Sequence, residues 1–197
     1  IIYLYTHKII IKMATKKSEL SKDKIVSMYM DYVLEHNEKP KSVFKFSKIN
    51  NISEKEFYDY FGTIESIEKE IFNMFYEKTI ALLHKDKDYE TYDMRSKILS
   101  FNFTFFEILT ANRSYVLLTL KESGNQLKNL MQLSNLRTSY LEFVSNTITE
   151  DIKTKQEKLQ NIQEKAIQES FWFQLLLTMK FWMDDSSPAL EKTDIYI

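Results

Sequence analysis

The chain has 197 residues, 44% of them hydrophobic and 28% charged, with a formal net charge of -1. That length suits one helical unit, or a small domain of about fifty residues fused to a larger one. With only 2 Gly and 2 Pro there is too little turn chemistry for an all-β fold, and the absence of cysteine excludes a disulfide framework or thiolate metal site and points to a cytoplasmic setting. The near-zero charge argues neither for nor against nucleic acid, so local charge has to decide.

The first twelve residues, IIYLYTHKIIIK, are apolar but broken by His7, Lys8 and Lys12, too short to span a bilayer and without a small-residue cleavage site. Residues 1–12 therefore read as an upstream leader, with Met13 as the expected start. Helix 1 is expected from Ser21 to Asn37, where Ile25, Met28, Tyr29, Tyr32 and Val33 recur at helical spacing, Ser21 caps and Pro40 terminates.

The stretch from Ser42 to Thr63, SVFKFSKINNISEKEFYDYFGT, divides into two short apolar-periodic runs. The first carries Val43, Phe44, Phe46 and Ile49, and the second Ile52, Phe57, Tyr58 and Phe61, with Asn50 and Asn51 between them. Two brief helices meeting at a tight turn form a helix-turn-helix. Asn51 suits the left-handed backbone such a turn needs, because its short amide bonds locally. Ser53 with Glu56 makes a capping box, Gly62 is expected to stop the second helix, and Thr63 to cap the next.

A longer helix is expected from Thr63 to about His84, followed by the charged run His84 to Glu90 as a loop. The expected division is a helix-turn-helix domain over 13–63, a connecting helix over 64–84 and a helical body over 85–197. Within the body, the helix from Thr91 to Thr110 is apolar on more than one face and is expected inside the bundle. Further helices are expected over Ser114–Glu122 and Gln126–Thr147. A polar approach then leads into the densest apolar run, FWFQLLLTMKFWM, whose thirteen residues are too few to cross a membrane. Its apolar residues face every direction, so one face meets the body and another something else. Asp184 and Asp185 are expected to cap a final helix with Pro188 in its first turn.

No catalytic constellation stands out. His7, His36 and His84 lie far apart with no second ligand at i+3 or i+4, and there is neither a phosphate-cradling glycine loop nor a nucleophile elbow. A protein that is not an enzyme and needs no cofactor or metal is the expectation.

The order Val43, Phe46 and Ser47, Asn51-Ile52-Ser53, Phe57-Tyr58, Tyr60-Phe61, then Thr63 and Glu65-Ser66-Ile67 resembles the N-terminal domain of the TetR family of bacterial repressors. The resemblance covers about a quarter of the chain. It implies an all-α protein with a three-helix reading head and a helical ligand-binding and dimerisation body. The implied DNA contacts fall on Ser42, Lys45, Ser53, Lys55, Tyr58, Tyr60 and Thr63, with double-stranded DNA as partner. The lysine that the family places at the start of helix 4 is replaced here by Ile64, and Glu54, Glu56 and Asp59 leave Lys55 the single positive charge of the recognition helix. From Met13 to Thr63 there are nine lysines against eight acids, a small excess for a groove reader.

The same resemblance implies a body holding a small hydrophobic effector, with Phe101, Phe105, Phe106, Tyr115, Trp172, Phe173, Leu176 and Met179 as lining, and a homodimer built through the last two helices. The tail FWMDDSSPALEKTDIYI is also similar, through Trp182, Asp184, Ser187-Pro188 and Thr193, to the C-terminal pattern of the lipid-binding accessory protein of coenzyme Q biosynthesis. That protein has a TetR-like fold without acting as a repressor, so the alternative is a lipid or isoprenoid binder that no longer reads DNA.

Overall fold

In the computed structural model of the chain, residues 20–121, 131–151 and 157–197 are described, and all regular structure among them is helical. The expected leader, Met13 to Lys17, Leu127, Leu130 and part of the polar approach to the last long helix lie outside the described residues.

Side chains set the boundaries of the first four helices. Ser21 accepts from the Lys24 amide and opens α1 (Lys22–His36), which ends on Asn37 at φ 52°, so a left-handed asparagine and not Pro40 terminates it. Ser42 accepts from the Lys45 amide and opens α2 (Val43–Ile49). Asn51 then turns the chain at φ 53°, and the Ser53–Glu56 capping box opens α3 (Glu54–Tyr58). A second capping box, Thr63 with Ser66, opens α4 (Ile64–Leu83). Gly62 plays no part in stopping α3: the helix has ended four residues earlier at Tyr58, and the glycine has no left-handed φ.

These three short helices bury one set of rings against α4. Phe46 and Phe57 are fully buried with centroids 5.8 Å apart, Tyr29 meets Phe46 edge-on at 6.2 Å, and Ile25 and Ile67 complete the centre. Phe44 and Ile49, expected among the apolar face of α2, are 60% and 46% exposed. A seven-residue helix has only two turns, and Phe46 already occupies its inward position.

Helix α4 continues into the body, where it packs most extensively against α5 (Met94–Ala111) and α7 (Ser134–Asp151). Between α4 and α5, a single 3-10 turn, Tyr89–Thr91, buries the Tyr89 ring at the end of the charged loop. Helix α6 (Arg113–Val116) runs on as a π-helical turn over Leu117–Lys121 and touches α1. Helix α7 follows a turn at Leu133 and packs on α8 (Glu157–Asp184), and the expected start near Gln126 lies outside the described residues. The centre of the body is aromatic: Phe101 stacks on Phe105 at 5.4 Å and on Phe143 at 5.0 Å, and Tyr140 reaches Trp172 at 6.2 Å. Helix α5 is not wholly internal, because Leu99 and Phe103 are each 39% exposed beside Glu107 on its outer face.

The C-terminal residues fold back as a strap over Trp182. Pro188 opens only a 3-10 turn, Ala189 and Leu190 follow at φ 53° and 61°, and the short α9 (Glu191–Tyr196) starts after them. Asp185 caps α9 by accepting from the Thr193 amide at 2.9 Å, but Asp184 pairs instead with Lys180 and Lys121, contrary to the expectation that both acids cap.

The Asp185 carboxylate also accepts from the Ser187 and Thr193 hydroxyls and from the Ser187 amide. The Ser187 hydroxyl bond, followed by those from Thr193 and from both amides, holds its pKa well below the usual carboxylate range, with desolvation opposing. A depressed folded pKa means this stabilisation is present above the unfolded value, about 3.9, and is lost as pH falls toward the folded one. Protection of the α9 amides, taken relative to the intrinsic exchange rate at each pH, should therefore fall on acidification below about pH 4. In Asp185→Asn that step should be absent.

Candidate DNA-reading surface and effector groove

Packing of Phe57 inward turns the opposite face of α3 to solvent. Tyr58 is 54% exposed there, and Lys55 stands beside it with its Nζ 3.6 Å from the Asp59 carboxylate. The pairing sets one acid against the only base of this helix. Lys45, on α2, is exposed and has no ion pair among the described residues, and Lys48 lies 6.0 Å over the exposed Phe44 ring. The hydroxyls of Ser42, Ser53 and Thr63 all accept helix-capping bonds, and Ser53 also donates to Glu56. Tyr60 is placed differently from the other expected contacts, because its hydroxyl donates to the Leu20 carbonyl at the entrance of α1.

A buried polar joint lies behind this surface. The Tyr29 hydroxyl donates to Glu68 at 2.9 Å, and Lys39 stands 3.8 Å from the same carboxylate oxygen. Burial, then the neighbouring Tyr115 and Glu68, push the Tyr29 phenol well above its ordinary range, and burial followed by Glu68 does the same to Tyr115. Helices α1, α4 and α6 thus share one cluster of buried oxygen atoms. The Tyr115 hydroxyl has no hydrogen-bond partner within it.

Of the expected effector-lining residues, Tyr115 and Phe106 line openings among the described residues, and they line different ones. Phe101, Phe105, Phe106, Tyr115, Trp172 and Met179 are buried in the core and Leu176 is half-buried, whereas Phe173 is 61% exposed on the outside of α8. Burial of most of that aromatic set is also what a stripe at helical spacing gives when neighbouring helices supply matching faces. A described opening lies elsewhere, a groove of about 830 Å³ between α1, α4 and the α5–α6 corner. Val26, Met30, Met74 and Phe75 contribute its apolar surface, Asp23 and Asp31 stand on the α1 side, and Tyr115 is the single residue of the expected set that it reaches. Hydropathy patterns gave no signal for it, because it arises from how α1 crosses α4.

The sequence signals also missed Arg113. Its guanidinium donates to the Trp182 and Asp185 carbonyls at 2.9 and 2.8 Å and lies 4.5 Å from the Trp182 ring, so it ties the α5–α6 corner to the strap. Among the described residues no group of three or more His, Cys, Asp or Glu could hold a metal, and no helix is long and apolar enough to cross a membrane.

A capped helix-turn-helix joined through a long helix to a body that is helical throughout its described residues defines a class of proteins built as a small helix-turn-helix head on a larger helical body. Residues 97–197 match the family model described as tetracyclin repressor-like, C-terminal domain, and the chain belongs to the TetR family. A solved structure described as a putative TetR-family transcriptional regulator from Syntrophomonas wolfei str. Goettingen superposes with a TM-score of 0.64, covering 89% of each chain at 16% identity. At that identity the likeness is one of fold. No match is found among curated proteins.

Proposed function

We propose that this TetR-family regulator acts in the cytoplasm as a homodimer that binds double-stranded DNA through α2 and α3 and responds to a small hydrophobic effector. The observation carrying the DNA reading is the orientation of α3: a buried Phe57 and two capped helix starts hold Tyr58 outward on a rigid wedge. Lys45 and Tyr58 are the side chains best placed for phosphates, and Lys55 joins them on leaving Asp59. Phe173 and Leu177, one helical turn apart and 61% and 44% exposed on α8, support a dimer face there. The effector is best accommodated in the groove beside α1, because a ligand there touches the head helix, α4 and α6 together.

A second reading, a lipid or isoprenoid binder with no DNA function, is favoured by the Lys55–Asp59 pairing, which reduces the positive charge on the recognition helix. Binding to the gene's own upstream DNA should be measured at about 50 mM and about 200 mM salt. We expect tight binding that weakens steeply with salt, a slope shallower by about one unit in Lys45→Ala, and a loss of roughly two- to tenfold in Tyr58→Phe. Absence of binding at the lower salt, with lipid carried through purification and seen by native mass spectrometry, would leave the second reading standing.

A further inference from the structure

The two helices of the reading head divide their charge unequally. From Lys41 to Asn50 the chain has three lysines, Lys41, Lys45 and Lys48, and no acid. All three are exposed, and none has an ion pair among the described residues. Helix α3 and its cap instead carry Glu54, Glu56 and Asp59 against Lys55, which is itself paired with Asp59. Among the α2 lysines stands Phe44, 60% exposed in the first turn, with the Lys48 Nζ 6.0 Å from the centre of its ring. A ring held in water beside unpaired cations suits a partner that is polyanionic and also presents an apolar group.

We propose, resting on the DNA-binding reading above, that Phe44 selects thymine, its ring packing on the 5-methyl group in the major groove while Lys41, Lys45 and Lys48 hold the flanking phosphates. Helix α3 leaves room for such a contribution. Its five residues span roughly 7.5 Å at 1.5 Å per residue, too short to present many side chains to base edges. Phe57 is turned into the core, Glu56 is spent on the cap and Lys55 on Asp59, which leaves Glu54 and Tyr58. The neighbouring helix of the head supplies the rest.

The chemistry of the ring selects the base. Along the major-groove edge the thymine methyl is the one apolar group, and every other group there is a hydrogen-bond donor or acceptor. A phenyl ring satisfies no donor or acceptor, but against a methyl both surfaces leave water. Anionic lipid also combines charge with apolar surface, yet an interfacial helix needs a continuous apolar face. The exposed apolar residues of α2, Phe44 and Ile49, are five apart and so diverge by about 140° around the helix. They form no such face.

The test uses the full chain and the gene's own upstream DNA, made once with thymine and once with uracil, which lacks only the 5-methyl group. The parent should bind the thymine DNA at least about fourfold more tightly, the worth of burying one methyl. That preference should be lost in Phe44→Ala and partly kept in Phe44→Leu, both with the parent's thermal melt because the ring packs little. In Lys41→Ala the salt slope should be shallower by about one unit, with the thymine-to-uracil ratio unchanged. Equal binding of the two DNAs by the parent, or a preference that survives in Phe44→Ala, overturns the proposal while salt-dependent binding keeps the DNA reading intact. An equal loss on both DNAs in Phe44→Ala places the ring on deoxyribose and overturns it too. Absence of binding to either DNA removes the DNA reading and this assignment together, and Phe44-dependent binding to phosphatidylglycerol vesicles would then identify anionic lipid as the occupant.

Discussion

Trp182→Ala is expected to lower stability by about 3–5 kcal/mol, the range for removing a large buried aromatic. Trp182 is fully buried, packs 6.3 Å from Phe106, donates to Thr110 and carries the Arg113 guanidinium. Its removal opens a cavity where α5, α6, α8 and the strap meet, and it releases Arg113 from the ring that positions it. Urea denaturation at fixed protein concentration measures the loss, since the stability of the proposed dimer depends on concentration. Trp182→Phe restores part of the volume and should recover part of the stability. An alanine variant as stable as the parent would mean that the strap and the α5–α6 corner do not depend on this residue.

The second large effect is local. Phe46→Ala should remove about 3–5 kcal/mol from the reading head, because Phe46 is fully buried and is the ring that Tyr29, Tyr32 and Phe57 all meet. Helices α2 and α3 have seven and five residues and cannot persist without that centre. Hydrogen exchange should show protection lost over α1 to α3 and retained in α7, with DNA binding abolished. If protection in α7 fell in parallel, the head and body would be one cooperative unit and not a head carried on a separately stable bundle. The shared cluster of Tyr29, Glu68 and Tyr115 is the contact through which such coupling would pass.

The residues of the proposed DNA-reading surface were legible one by one along the chain, but the contacts that engage them were not. Lys55 was evident as the only base of α3; that Asp59 sits one turn away and pairs with it is a matter of helix geometry that the i,i+4 spacing already contains. Tyr60 was not separable from Tyr58 by spacing, and only the approach of the Leu20 carbonyl from the start of α1 distinguishes them. The proposed effector site was the least legible part. Phe101, Phe105 and Trp172 have the composition of a pocket and the packing of a core, and sequence carries no term for the space left between helices.

Sequence alone determined the elements that depend on contacts within one turn: the caps at Ser21, Ser53 and Thr63, and the left-handed Asn51. Each is decided by a hydrogen bond reaching about three residues or by one residue's backbone preference, so nearby chain suffices. Tertiary structure decided which apolar faces close, placing Phe173 outside and Trp182 inside on the same helix, and it joined Arg113 to carbonyls 69 and 72 residues away. It also decided where openings remain, in the groove beside α1 and a crevice under the strap. Hydrophobic burial has no direction of its own, and only the crossing of one helix over another selects the side chains that meet.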